Sequence, residues 1–352
     1  MKKLILLIIP FLTCGCFNYL SLNDIAVVSL VHIDYQDDNY ILTVEIRENE
    51  KDNPNTSSIY SNKGISLDYT FENIGLTLNK TLYLVDVDTV ILTENVINKK
   101  FESTIDYITR ENNIGNNFNI LVSNEDINNI AKLIKEKNKI IGSYFKDTIN
   151  NDYNNTVNIK FNKFIKNYLN EYKDMILPYG KIENDEFTLN EAIIFNGDKD
   201  SIIVNNDYIK IYNLLNNINK YTLFKINYNN GYIVYRVKDI KSKLKLDYNN
   251  NFEININIVG NFNEMDNIDL DKNNIENLIN LTKNHIYNDT ISFMDILKKN
   301  NIDVLGFKKI IYNKTKNKLD DINDLTIEVN INLTLEREEL TFDNIGAKKN
   351  EI

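Results

Sequence analysis

From Leu325 to Leu335 every second residue is apolar: Leu325, Ile327, Val329, Ile331, Leu333 and Leu335 alternate with polar side chains. Period two sends successive side chains to opposite faces, so the stretch is a strand with one dry and one wet face. Such a strand demands a sheet to pair with and a layer to pack on. The residues before it supply both. Thr222 to Tyr228, Tyr232 to Leu246 and Phe252 to Val259 are strand-like, with Asn229-Asn230-Gly231 and Asn249-Asn250-Asn251 as the turns between them. Ile275, Leu278, Ile279, Thr282, Ile286, Phe293 and Leu297 then fall on one helical face, which predicts a long amphipathic helix broken near Asn288. A short helix is expected from Gly306 to Tyr312. The order is β-β-β-α-(α)-β, helices on one face of a sheet, which is an α+β layer.

The preceding half mixes the same two periods. Ile25 to Ile33 is a continuous apolar run, hence a buried strand, and Tyr40, Leu42, Val44 and Ile46 alternate as a half-buried one. Glu48 to Asn62, polar and containing Pro54, reads as a loop, and Leu82 to Leu92 as one strand. A helix is expected from Phe101 to Thr109 and a strand from Phe118 to Val122. Ser123-Asn-Glu-Asp126 has the form of a capping box before Ile127, Ile130, Ala131 and Ile134 on one helical face. Phe161, Phe164, Ile165, Tyr168, Leu169 and Tyr172 make a second helical stripe, ended by Pro178. Residues 146–156 read as a polar linker or loop. Asn196-Gly197-Asp198 between Ala192–Phe195 and Ser201–Val204 predicts a hairpin, and Ile211, Leu214, Leu215 and Ile218 a helix. The whole is two to three small domains of mixed or antiparallel sheets with packed helices. The divisions are 25–206, with a possible subdivision near 146–156, and 207–337, followed by a polar tail at 338–352.

Both cysteines lie at the N-terminus, Cys14 and Cys16, so no disulfide framework is available further on. The cores must be held by apolar burial, for which 352 residues at 43% hydrophobic suffice. The residues around the cysteines have an order of their own. Lys2 and Lys3 precede the apolar run Leu4 to Leu12, which falls short of the roughly 20 residues that span a bilayer. It has the length of a signal-peptide core. Gly15 then stands before Cys16, the small residue and cysteine of a bacterial lipobox. Residues 1–15 are therefore read as a lipoprotein signal peptide cut between Gly15 and Cys16, Cys16 as the lipid-attachment residue, and 16–24 as the linker. Acyl anchoring matters because the surface offers no other hold. The net charge of -10 repels anionic lipid and nucleic acid alike.

Candidate chemistry is sparse. The two histidines, His32 in a strand and His285 in a helix, have no cysteine partner and no His-Glu-x-x-His spacing, so a satisfied structural role is expected of each. Asp86 and Asp88 share one side of the expected strand and could hold a cation or a proton, but the wet face of a sheet accounts for them. The acidic stretch from Asp266 to Glu276 lacks the glycine and the final glutamate of a calcium loop. Asp269 to Asn273 is read instead as the start of a helix. No nucleophile elbow, Walker loop or dinucleotide fingerprint occurs, and no cofactor, metal or catalytic residue is assigned.

Several segments in order resemble the Ger(x)C family. Cys16-Phe-Asn-Tyr-Leu-Ser-Leu22-Asn23-Asp24 and the strand after it are similar to the family's lipid-modified Cys, short polar stretch and Leu-Asn-Asp. That strand closes on Ile33-Asp34, as is usual there. Tyr60-Ser-Asn-Lys-Gly-Ile65 resembles the lead-in to a helix, Glu191-Ala-Ile-Ile-Phe-Asn-Gly-Asp198 a "G-x-A-V-F-K-G-D" hairpin, and Asp303-Val-Leu-Gly-Phe307 a "D-x-x-G-F" element. The resemblance implies the lipid-anchored C subunit of a nutrient germinant receptor. Such a subunit is non-enzymatic and assembles with A and B membrane subunits at the outer face of a spore's inner membrane. The competing expectations are a solute-binding lipoprotein delivering a small ligand to a transporter, which would need a deep cleft between two α/β lobes, and an exported enzyme.

Overall fold

The computed structural model describes residues 21–48, 55–111, 113–170, 172–195, 201–218, 221–228, 231–247, 251–266 and 272–336. Gly15 and Cys16, the hairpin turn at 196–198, positions 269–271 of the expected helix start and the tail at 338–352 lie outside these residues, and the helix itself is described from Lys272.

The first half is built on one mixed sheet. Its strands are β1 (Ile25–Gln36), β2 (Asn39–Arg47), β3 (Ser57–Gly64), β4 (Thr81–Tyr83), β5 (Thr89–Leu92), β6 (Asn119–Val122), β7 (Met175–Glu183), β8 (Glu186–Phe195) and β9 (Ile202–Val204). They run in the order β3-β2-β1-β5-β6-β7-β8-β9, with β4 also on β1. The centre, β1-β5-β6-β7, is parallel, and antiparallel hairpins flank it on both sides. A parallel centre must be covered on both faces. Helices α1 (Leu67–Leu78), α2 (Glu94–Lys99), α3 (Phe101–Arg110) and α6 (Phe161–Tyr168) pack on the face carrying Val31, Ile33, Leu92 and Val122. Helices α4 (Ile127–Glu136) and α5 (Ile141–Asn150) pack on the face carrying Leu30, Ile91 and Leu121.

Helix α7 (Asn206–Leu215) leads into the second sheet, β10 (Leu223–Tyr228), β11 (Gly231–Leu246), β12 (Phe252–Asp266) and β13 (Ile327–Leu335), paired in that order. The first three form an antiparallel meander, and β13 returns parallel to β12 with Ile331 opposite Ile256. Helices α8 (Lys272–Lys299) and α9 (Phe307–Thr315) cover its apolar face, as the β-β-β-α-(α)-β reading requires. The two sheets share one core. The same apolar cluster runs from Val28 and Leu92 through Phe195 and Leu214 to Phe252, Phe293 and Leu333.

Several elements differ from the expectations, each for a physical reason. β2 is buried on both faces, not half-buried, because it lies inside the sheet, where Thr43 is covered beside Ser61 and Glu45 meets the start of α5. The expected loop up to Asn62 ends in β3, a polar edge strand whose serines are hydrogen bonded. Ser61 pairs with Thr43 at 2.8 Å, and Ser57 and Ser58 donate to Glu45 and Glu48. The single strand expected over Leu82–Leu92 is broken into β4 and β5. Asp126, not Ser123, caps α4: its carboxylate accepts from Asn128 N at 2.7 Å, while Ser123 Oγ accepts from Glu125 N at 3.2 Å. The Phe161 stripe stops at Tyr168, with Leu169 exposed, and Pro178 lies inside β7. The ladder between β6 and β7 is limited to Val122 opposite Tyr179, which leaves room for a residue without an N–H. In the polar stretch 146–156, residues up to Asn150 are the second half of α5, a helix that buries Phe145 and Ile149, and the loop begins only at Asn151. α8 is unbroken at Asn288, because that residue points to solvent, where a weak helix former costs little.

Candidate functional site

The carboxylates singled out in the sequence, Asp86 and Asp88, are not a pair on a strand. They lie in the break between β4 and β5, Asp86 exposed and Asp88 only 7% exposed. Asp88 is held by its own backbone, donating from N to Ser29 O and accepting from Asn119 N, both at 2.9 Å. Its carboxylate accepts from Arg47 Nη2, from Ser143 Oγ at 2.9 Å and from Lys146 Nζ at 2.8 Å. Arg47 comes from the end of β2, and Ser143 and Lys146 from the first turns of α5. Lys160 joins Arg47, Asp88 and Lys146 in lining a pocket of about 620 Å³. Burial, together with the Lys146 charge, pulls Lys160 below the usual lysine range, and Asp88 opposes that shift.

Next to Asp88 lies a group that sequence reasoning passed over. Glu45, in β2, is wholly buried. Its two oxygens accept from Ser29 Oγ at 2.6 Å, Ser57 Oγ at 2.7 Å, Ile141 N at 2.8 Å and Gly142 N at 2.9 Å. The last two are free amides at the start of α5, whose N-cap residue Ile140 has no side chain to serve them. A carboxylate there also meets the positive end of the helix dipole. The helix rests directly on β1: a Cβ on Gly142 would stand 2.1 Å from Ser29 O. Within β2, a Glu two residues before an Arg looks like any wet strand end. Nothing local announces that a helix start lies ninety-six residues further on.

A second buried carboxylate does the same for the other sheet. Asp303 accepts from Gly306 N at 2.6 Å, Phe307 N at 2.9 Å and Lys308 N at 2.7 Å, capping α9 from outside the helix. Gly306 sits at φ +86°, a conformation that favours glycine. These contacts explain the Asp-x-x-Gly-Phe pattern. Asp303 also joins the halves of the molecule. Its N donates to Asp174 Oδ2 at 2.5 Å, and its carbonyl accepts from Asp174 N at 2.9 Å. Burial raises its pKa against the pull of the three amides.

The histidines stay apart. His32 is buried in β1 with neither ring nitrogen bonded to any described residue, so its structural role is not a satisfied one. His285, half-exposed on α8, faces Asp289 one turn on at 3.5 Å and meets Phe224 edge-on. Among the described residues no three His, Cys, Asp or Glu side chains are grouped to hold a metal, and no helix is long and apolar enough to cross a membrane.

One surface differs from the rest. Between α1, β4 and the end of α3 runs an open groove of about 640 Å³ whose lining includes Asp24, Asp68, Glu72 and Glu111. Tyr107 stands in it, its hydroxyl 3.5 Å from Asp68. Burial, then the Asp68 and Glu111 charges, raise the Tyr107 pKa.

Comparison with known proteins accounts for the architecture. Residues 18–182 match the family described as "Spore germination protein N-terminal domain", and residues 190–339 match "Spore germination B3/ GerAC like, C-terminal". The crystal structure of the GerBC protein has the same fold, with a TM-score of 0.58 over 87% of this chain and 97% of that one at 12% identity. A curated protein, the DNA-directed RNA polymerase subunit beta of Plasmodium falciparum (isolate 3D7), is 26% identical over 311 residues, 77% of this chain. This chain spans only 28% of that protein's length. In a sequence so rich in Asn, Ile and Lys, identities of this order follow from composition and carry no functional argument. The two family matches follow one another across nearly the whole chain, on a fold shared with a germination protein: the chain belongs to the GerAC-like family of spore germination proteins.

Proposed function

We propose that this protein is the C subunit of a nutrient germinant receptor, held by lipid on Cys16 at the outer face of a spore's inner membrane. There it joins A and B membrane subunits as a non-enzymatic scaffold that couples them. The family membership carries this reading. The use of buried charge supports its non-enzymatic part. Glu45, Asp88 and Asp303 are each engaged by helix starts or by cations, an arrangement that holds elements together and leaves none of these three poised as an acid or base. The apolar run and Gly15-Cys16 support the anchor, since an acidic chain needs acyl groups to stay on a bilayer. Anchoring confines the subunit to the plane of its partners and raises its effective concentration there.

The test is made in spores. Wild type is expected in the inner-membrane fraction with a diacylglyceryl mass on Cys16. Cys16→Ala should be released from the membrane and should slow germination with nutrients, while germination triggered downstream of the receptor is unchanged. Equal membrane retention and no modification in both proteins would remove the anchor from this reading.

A further inference from the structure

Helix α1 is apolar on two sides. Leu67, Phe71 and Ile74 face the core, whereas Ile65, Tyr69 and Leu76 are 79%, 55% and 69% exposed. Tyr69 and Leu76, with Glu72 between them, follow helical spacing on the outer face, and Ile65, just before the N-cap Ser66, is exposed as well. An isolated exposed apolar residue needs no explanation, but two on one outer helix face with a third just before the helix do. Local structure does not supply one. Ile65 precedes the N-cap Ser66, where an apolar side chain ordinarily packs down on the helix, but the residue it would meet is the buried Thr70, and Ile65 stays in solvent.

The outer face borders the acidic groove. Leu76 and Glu72 belong to both, and Asp24, Asp68 and Glu111 complete the negative lining, with Lys80 as the cation. Apolar anchors ringed by carboxylates match a segment that carries apolar residues among Lys or Arg. An anionic bilayer is excluded by the same charge. The position narrows the occupant further. Asp24 lies at the foot of β1, where the chain arriving from Cys16 joins the fold, eight positions after that residue. At full extension those positions reach about 30 Å.

We propose that the outer face of α1 and its acidic groove dock a basic, apolar-bearing juxtamembrane segment of a partner membrane subunit. This rests on the receptor-subunit reading above. It adds which surface makes the contact and what chemistry the partner presents to it.

The experiment uses full-length protein in spores, with a benzophenone amino acid in place of Tyr69 and, as a control, in place of Tyr287, 41% exposed on α8. Irradiation is expected to join the Tyr69 position, not the Tyr287 position, to an A or B subunit, at a peptide containing Lys or Arg beside apolar residues. Asp68→Lys with Glu72→Lys should lower that yield about tenfold. Circular dichroism and the amount of protein in the membrane should not change. Adducts only with lipid or with a second copy of this chain, no adduct, or a yield indifferent to the charge reversal would overturn the proposal. Membrane fractionation of the same spores separates the two readings. A chain absent from the membrane defeats both. A chain that stays at the membrane and co-purifies with the A and B subunits while the Tyr69 position is silent defeats the docking face alone.

Discussion

His32 is the residue with the sharpest physical signature. Burial lowers its pKa from 6.5 to about 4, outweighing the opposite pull of Asp34 and Asp126. The folded protein therefore keeps His32 neutral where an unfolded chain would protonate it. Its contribution to stability is complete above pH 6.5, falls as the pH drops below that value, and levels off below about 4. Between pH 7 and pH 5 the loss is about 2 kcal/mol. Urea unfolding at the two values should show this difference in wild type and a shallower one in His32→Leu; equal slopes would mean that His32 titrates normally. The sequence reading put this residue correctly in a strand, but the absence of any partner was not legible. It depends on Thr43 and Ile91 lying opposite it in register.

Among the elements, α9 shows how much one side chain can carry. Asp303 serves three amides of its first turn, so Asp303→Ala should cost about 2–3 kcal/mol. Asp303→Asn, which keeps an acceptor, should cost less. Hydrogen exchange should show the α9 amides losing protection first; uniform loss across the protein would argue that the aspartate matters through Asp174 instead. The Asp-x-x-Gly-Phe pattern was visible in the sequence because cap, glycine and helix are close neighbours. The equivalent service to α5 was invisible, since Glu45 reaches it from another strand. The same rule explains the misplaced boundaries. Apolar spacing located Ile127, Ile130, Ala131 and Ile134, but not which of two polar residues, Ser123 or Asp126, would cap them.

At the scale of the molecule, the two sheets behave as one body. A single apolar cluster crosses between them, Tyr172 stacks on Tyr312 at 4.6 Å, and Asp174 exchanges two hydrogen bonds with Asp303. Chemical unfolding should therefore follow one transition, with far- and near-ultraviolet circular dichroism coinciding. Two separated transitions would show that the halves fold independently. The amino-acid sequence by itself determined the α+β class, the β-β-β-α-(α)-β layer and most strands and helices. Apolar period is a local property, and each period suits one kind of element. Only the tertiary structure decided that β1, β5 and β6 lie side by side and parallel, that β2 is covered on both faces, and that Glu45 and Asp88 are buried together beneath α5. Those outcomes depend on which distant faces meet, because a carboxylate is stable inside only where amides and cations from elsewhere in the chain converge on it.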